Sequence, residues 1–90
     1  MKLDKGALTF TQAEHGFARI DDIAADGRID LSDVTQADSA GVALLLEIAR
    51  RVQRRGARLE LLNPPDQLRG LLRFFGVDGI LGVDRAAARA

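Results

Sequence analysis

The strongest constraint on the fold is a stretch between residues 40 and 54 whose apolar side chains repeat with the period of an α-helix. When these residues are placed at helical intervals, one wide arc is apolar and the opposite side is small or charged. The apolar arc comprises Gly41, Val42, Leu44, Leu45, Leu46, Ile48, Ala49 and Val52. The opposite side comprises Ala40, Ala43, Glu47, Arg50, Arg51 and Arg54. A helix with so wide an apolar face packs firmly on a sheet and leaves only a narrow strip to solvent.

Short apolar stretches before and after this helix are typical of strands. Residues 28–32 (RIDLS) place Ile29 and Leu31 on one face of an extended chain, and residues 59–62 (LELL) follow the long helix. A third stretch, residues 7–10 (ALTF), precedes both of them. The sequence therefore predicts three short strands.

A further helix is predicted between the strand at residues 7–10 and the strand at residues 28–32. It begins at Thr11, whose spacing to Glu14 matches a capping box, and it ends at Asp26-Gly27, where glycine suits a left-handed cap. Its apolar face comprises Ala13, Phe17, Ile20 and Ala24.

The last helix is predicted to follow Asn63-Pro64-Pro65-Asp66, with Asn63 as the cap and a proline at the first helical position. Its apolar face comprises Leu68, Leu71, Leu72 and Phe75. Gly76 ends it. We expect residues 78–83 to form a last short turn or helix and residues 85–90 to fray.

The predicted elements alternate in the order β-α-β-α-β-α with short connections. Such alternation favours an α/β fold with a mostly parallel sheet and right-handed crossovers. Ninety residues are enough for one compact domain and too few for two, so we expect a single domain over residues 1–90.

The residue types that carry catalysis or bind metal are scarce. The chain has no cysteine, which excludes disulfides and thiolate metal sites, and a single histidine, His15, which excludes a two-histidine metal site within the chain. It has no glycine-rich phosphate-binding loop of the GxxxxGK type. We therefore expect no enzymatic activity, no cofactor and no metal, and we interpret His15 as a surface residue.

The sequence also lacks the signals of a membrane or exported protein. No apolar run approaches the roughly 18–20 residues that span a bilayer. The N-terminal sequence MKLDKG lacks the apolar stretch of a signal peptide. These observations predict a soluble cytoplasmic protein.

Charge is balanced overall but uneven along the chain. Residues 1–47 carry nine acids and four bases, whereas residues 48–90 carry four acids and nine bases. Two interpretations stay open: solvated faces of packed elements, or a bipolar surface that steers a protein partner. Nucleic-acid binding is disfavoured, because the arginines are not interleaved with aromatic residues and the net charge is zero.

The loop before the long helix, residues 30–41, is the most informative segment. Asp38 or Ser39 is predicted to cap that helix by accepting hydrogen bonds from its free N–H groups. Ser39 would then lie at the positive end of the helix dipole, where a phosphate is electrostatically favoured. A serine in this position is a candidate for a phosphorylation switch.

Residues 28–83 resemble the STAS domain, the fold of bacterial anti-sigma factor antagonists. The resemblance is carried by IDLSDV followed by ADSAGVALLL and by LELLNPP with its following leucines and FGV. It implies a mostly parallel sheet of about four strands with helices packed mainly on one face. It also implies that Ser39 matches the phosphoacceptor of partner-switching members, and that residues 38–54 form the partner-docking face.

Within that family the chain looks most similar to MlaB-like proteins, through DSAGVALLLEIARR and LLNPPDQLRGLLRFFGV. This resemblance implies a non-catalytic partner of the ATPase subunit (MlaF-like) of a phospholipid ABC transporter. The protein would lie in the cytoplasm, at the inner membrane only through that complex. The implied contact residues are Asp38, Ser39, Ala40, Gly41, Val42, Ala43, Glu47 and Arg50. The alternatives are an anti-sigma factor antagonist whose Ser39 is phosphorylated by an anti-sigma kinase, and a scaffold domain for an unrelated partner.

The N-terminus departs from the family pattern. The family usually has two strands before its first helix, whereas only about ten residues precede the first predicted helix here. We therefore expect a shortened or missing first strand. The sheet edge would then be exposed, or paired with another chain as in a homodimer.

Overall fold

The computed structural model describes residues 1–77 and Leu81. The described elements are α1 (Phe10–Ala18), α2 (Ile20–Asp26), β1 (Arg28–Asp30), α3 (Ser39–Arg54), β2 (Glu60–Leu62) and α4 (Asp66–Phe74). Four helices and a small parallel sheet make an α/β fold, as the alternating pattern predicted. The expectations for residues 78–83, apart from a turn at Leu81, and for residues 85–90 lie outside the described residues.

The sheet in the described part of the chain is small. β1 and β2 pair in parallel, with Ile29 opposite Leu61 in the centre of the register. Two isolated parallel bridges add to them, Lys2 with Asp30 and Leu8 with Ala37. The expected sheet of about four strands is not confirmed, because the described residues contain two strands and these two bridges.

The N-terminal residues occupy the edge of β1 that was expected to be exposed or paired with another chain. The Leu3 N–H donates to the Asp30 carbonyl at 3.1 Å, and the Asp30 N–H donates to the Met1 carbonyl at 2.8 Å. β1 is therefore hydrogen-bonded on both sides within one chain. The segment that pairs with it is residues 1–3 and not residues 7–10.

The strand predicted over residues 7–10 is wrong, as is the cap at Thr11. Leu8 makes only a single bridge, and α1 already begins at Phe10. Thr9 holds the position before α1, but its hydroxyl donates to the Gly6 carbonyl at 2.7 Å and so does not cap the helix. A tight turn therefore replaces the extended conformation that the apolar letters suggested.

The first predicted helix is divided at Arg19, which lies between α1 and α2 with φ −110° and ψ 17°. The break changes which side chains face the core. Ile20 and Ala24 are buried as predicted, whereas Phe17 is 41% exposed, so its assignment to the buried face is wrong. Gly27 ends α2 at φ 74°, which confirms the predicted left-handed glycine cap.

The core is built on α3 and the sheet, and α1 and α2 pack against α3. The buried residues of α3 are Gly41, Val42, Leu44, Leu45, Ile48 and Val52, which confirms the predicted apolar arc. Ile29 and Leu31 are fully buried, and Leu59 and Leu61 lie in the same cluster. Glu47 and Arg51, which the periodicity assigned to the opposite side of this helix, form an ion pair at 3.0 Å. Among the described residues no charged or polar side chain is buried.

The start of α4 differs from the prediction. The helix begins at Asp66 after Pro65, and Asn63 is not its cap. Instead, Asn63 takes a left-handed φ of 56°, turns the chain out of β2, and donates to the Asp30 carboxylate at 3.4 Å. Leu68 and Leu72 are fully buried as expected, but Phe75 is 44% exposed and stacks edge-on against Phe74.

Candidate functional site

Asp38 joins the beginnings of two helices. Its Oδ1 accepts hydrogen bonds from the N–H groups of Ala40 (2.9 Å) and Gly41 (3.3 Å), which is the side-chain cap of α3. Its Oδ2 accepts from the N–H of Phe10, the first residue of α1, at 2.7 Å. The sequence left the cap open between Asp38 and Ser39, and the structure assigns it to Asp38.

Ser39 is thereby left without a capping role. It is the first residue of α3, and its side chain is exposed to solvent. Within the described part of the chain, its hydroxyl has no hydrogen-bond partner. The N-terminal end of a helix carries a partial positive charge, which favours an anionic group attached or bound there. The Ser39 hydroxyl is accessible both to a partner surface and to a modifying enzyme.

A strip of small and charged side chains continues from Ser39 along α3. Ala43 and Arg50 are exposed, while Ala40 and Glu47 are half-buried. Arg50 and Glu47 form an ion pair at 3.1 Å, which fixes the polar end of the strip. The strip therefore changes from small and apolar near Ser39 to charged two turns further along.

Two of the predicted contact residues face inward and must be removed from this surface. Val42 is only 4% exposed and belongs to the core. Gly41 is buried where α3 crosses the segment at Leu8, and a Cβ at this position would lie 2.6 Å from the Cβ of Leu8. Neither residue offers a side chain to a partner.

Phe10 is a surface residue that the sequence analysis missed. Its side chain is 79% exposed, and its N–H is bound to the same carboxylate that caps α3 beside Ser39. One sequence feature could have indicated its exposure: Phe10 lies outside the apolar face of the first helix. The prediction of a strand over residues 7–10 assigned Phe10 to that strand instead. Six residues make up what we call the Ser39 surface: Phe10, Ser39, Ala40, Ala43, Glu47 and Arg50.

The Asp30-Leu31-Ser32 motif has a structural role away from this surface. The Ser32 N–H donates to the Asp30 carboxylate at 2.9 Å, and this bond, with that of the Ser32 hydroxyl, lowers the pKa of Asp30. The Asn63 amide binds the same carboxylate, so Asp30 links the ends of the two paired strands.

Arg51 connects the acidic half of the chain with the basic half. Its guanidinium binds Asp21 of α2 at 2.6 Å and Glu47 at 3.0 Å, and these bonds raise its pKa. Part of the uneven charge is therefore used in pairing helices. By contrast Arg54, Arg55 and Arg58 are exposed, with no ion pair inside the described part of the chain.

Over residues 1–77 and Leu81, no group of three or more His, Asp or Glu side chains is arranged to hold a metal ion. His15 is exposed on α1. No helix in the same residues is both long and apolar enough to cross a bilayer.

The α/β architecture, the capped start of α3 and the exposed serine as its first residue agree with the STAS-type fold that the sequence resembles. The comparison with family models agrees, since the model described as "Mlab, STAS domain" matches residues 5–82. The chain belongs to this MlaB-type STAS family, which confirms the resemblance drawn from the sequence. No curated protein and no solved structure matches the chain.

Proposed function

We propose that this protein is a non-catalytic STAS subunit that docks through the Ser39 surface onto the ATPase of an ABC transporter for phospholipids. The observation that carries the proposal is the match to the MlaB STAS family over residues 5–82. It is supported by a serine that is exposed and unbonded within the described structure, beside an exposed Phe10. In this role the protein supports assembly or activity of the transporter.

The composition of the Ser39 surface suits a protein partner. Aromatic side chains are frequent anchors of interfaces, because they bury a large area at a small cost in conformational entropy. Phe10 provides such an anchor, and the short side chain of Ala43 lets a partner helix or loop approach closely. The ion pair of Glu47 and Arg50 lies at the edge, where polar groups set orientation more than affinity.

The proposal assigns the protein to the cytoplasmic side of the inner membrane. The ATPase subunits of ABC transporters work in the cytoplasm, so a domain that docks on one is held at the membrane by its partner. Direct contact with lipid is not needed in this arrangement.

The first experiment is affinity copurification of the tagged protein from its own bacterium, with mass spectrometry of the captured proteins. We expect an ABC ATPase and its permease in roughly stoichiometric amounts. Capture of an anti-sigma kinase without these subunits would overturn the transporter proposal.

A matched pair of variants then tests whether the Ser39 surface is the contact. Ser39→Arg places a long charged side chain in the centre of the surface and should weaken binding to the purified ATPase by at least about tenfold. Gln53→Arg adds the same side chain at the opposite, exposed end of α3 and should leave binding unchanged. Equal affinity of wild type and Ser39→Arg would exclude this surface.

The unbonded Ser39 hydroxyl favours one alternative function, that of an anti-sigma factor antagonist switched by phosphorylation. A phosphate would add close to two negative charges at the docking face and disrupt a complex by repulsion and desolvation. Incubation with the kinase and ATP should then add one phosphate to the wild type and to Ser32→Ala, and none to Ser39→Ala. Failure of every such kinase to label the wild type would remove this alternative.

A further inference from the structure

A cavity lies between the N-terminal residues and the junction of α1 and α2. Its volume is about 470 Å³. That volume equals roughly fifteen water molecules and falls within the range of about 300–1,000 Å³ that is typical of small-molecule sites. The lining includes Lys2, Leu3, Ala7, His15, Arg19 and Ile23. We propose that this cavity binds a small amphipathic anion, an alkyl carboxylate in its simplest form.

The inner part of the cavity is apolar. Ile23 is 2% exposed and Leu3 is 8% exposed, so both present their side chains from the core. Ala7 packs against the same cluster and adds a methyl group to the wall. An alkyl chain placed here would bury apolar surface on both partners, at about 25 cal/mol for each Å² removed from water.

The rim carries a cation that is not neutralised within the described part of the chain. Arg19 is exposed at the α1–α2 junction, and its guanidinium has no ion pair or hydrogen bond to the residues described. Lys2, also at the rim, is already paired with Asp33 at 3.5 Å. Asp4 lines the cavity as well and offsets one positive charge, which leaves Arg19 as the group that would bind a carboxylate.

The position of the cavity on α1 separates it from the Ser39 surface. Gln12, His15 and Gly16 line the cavity from α1 at positions i, i+3 and i+4, which is one face of the helix, and Arg19 lines it from the junction after α1. Phe10 and Phe17, seven residues apart, share a different face. The proposed anion site therefore does not depend on the docking function, and either can fail without the other.

The test is an NMR titration of the full chain with decanoate below its micellar concentration, with decanol as the uncharged probe. We expect saturable shift changes with one decanoate bound per chain, largest at the amides of Leu3, Ala7, Arg19 and Ile23. Decanol should bind at least about tenfold more weakly, because it cannot form the charge-assisted bond to Arg19.

Substitutions of Arg19 distinguish a site from general adsorption. Arg19→Gln should weaken decanoate binding by about tenfold, and Arg19→Lys should restore most of the loss. Arg58→Gln removes another exposed arginine, one that does not line the cavity, and should leave decanoate binding unchanged. Unchanged amide dispersion of each variant establishes that it is folded.

Three results would overturn the proposal. They are the absence of saturable shifts with decanoate, equal affinity for decanol and decanoate, and shifts centred on Phe74 and Phe75 instead of the cavity. Binding to the purified ATPase, measured on Arg19→Gln, should equal that of the wild type.

Discussion

The carboxylate of Asp38 accepts a hydrogen bond from the N–H of Phe10 at 2.7 Å, across 28 residues of chain. The other oxygen of the same carboxylate caps α3. One side chain therefore fixes the start of α1 relative to the start of α3. It also ties the backbone of Phe10 to the residue that precedes Ser39, so the two groups that we propose as the centre of the docking surface depend on a shared anchor.

Replacement of Asp38 by alanine should be costly. An N-cap is worth about 1 kcal/mol, and loss of the bond to Phe10 adds a comparable amount. We therefore expect Asp38→Ala to lower the free energy of unfolding by about 2 kcal/mol, measured by urea denaturation. Asp38→Asn keeps one acceptor oxygen and should lose about half of that.

Asp33→Ala is the matched control for this prediction. Asp33 is exposed and, among the residues that the structure describes, pairs with the exposed Lys2 alone, so its removal should cost less than about 0.5 kcal/mol. If Asp38→Ala and Asp33→Ala are equally stable, the hydrogen bonds of Asp38 to the starts of α1 and α3 do not stabilise the fold as described.

Two glycine substitutions should change stability in opposite directions, because one glycine lies where α3 closely approaches the segment at Leu8 and the other lies on an open helix surface. Gly41→Ala would place a Cβ against the Leu8 backbone and 2.6 Å from its Cβ, and should destabilise the protein by about 2 kcal/mol. Gly70→Ala lies on the exposed side of α4, where the added Cβ meets no neighbouring atom of the described residues within 4 Å, and it should stabilise the protein by about 0.5–1 kcal/mol. Thermal or urea unfolding of both variants measures these changes in the free energy of unfolding. A neutral Gly41→Ala would mean that the two segments are further apart than described.

Asp30 should make stability depend on pH in the acid range. The Ser32 N–H, followed by the Ser32 hydroxyl, lowers the pKa of Asp30 below its ordinary value of 3.8. Because the folded-state pKa lies below the unfolded-state pKa, the charged carboxylate stabilises the fold above about pH 4. That contribution disappears as the pH falls through the folded-state pKa.

The variant Asp30→Asn isolates this effect. The difference in unfolding free energy between wild type and variant should be constant above about pH 5 and shrink below about pH 4. NMR titration of the Asp30 carboxyl carbon provides an independent measurement. A folded-state pKa at or above 3.8 would contradict the interpretation.

Exposed phenylalanines allow a test of docking that is separate from stability. Phe10 is 79% exposed and Phe74 is 83% exposed, so a serine at either position should change the free energy of unfolding by less than about 0.5 kcal/mol. Phe10→Ser should weaken binding to the ATPase subunit by about tenfold, whereas Phe74→Ser should not. Calorimetry or surface plasmon resonance measures both. A loss of similar size for Phe74→Ser would place the contact elsewhere.

The parts of the fold that could be predicted are those fixed by local signals. Residues 39–54 form a helix with the expected buried face, because the periodicity of that stretch is long and its cap is only one residue away. The paired strands around Ile29 and Leu61 were also located correctly. In both cases the information lies within a few neighbouring residues.

The parts that could not be predicted depend on distant residues. The N–H of the first residue of α1 is bound by Asp38, which is distant in sequence, so no local pattern marks this helix start, and the capping-box spacing points to Thr11 instead. Asn63 precedes two prolines as a helix cap would, yet its side chain donates a hydrogen bond to the Asp30 carboxylate. The partners of these residues are distant in sequence and come close only in the folded chain. Local patterns therefore predicted the wrong role for Thr11 and for Asn63.

The candidate site was predicted in part. Asp38 and Ser39 were identified from the loop, and Ala43, Glu47 and Arg50 lie on the outer strip of α3. The helical periodicity had already assigned Val42 to the buried arc, whereas the resemblance to the family placed it at the contact. The structure agrees with the periodicity.

The pairing of residues 1–3 with Asp30, and of β1 with β2, determines the order in which the protein can fold during its synthesis. Neither pairing is a hairpin, and each joins segments about thirty residues apart. At about 5–20 residues per second, each segment waits roughly 2–6 s for its partner to be made. The helices can form their own bonds in that interval. The sheet is therefore completed only after α1, α2 and α3 have been made. Until then the unpaired edge of β1 is the part that a chaperone would need to cover.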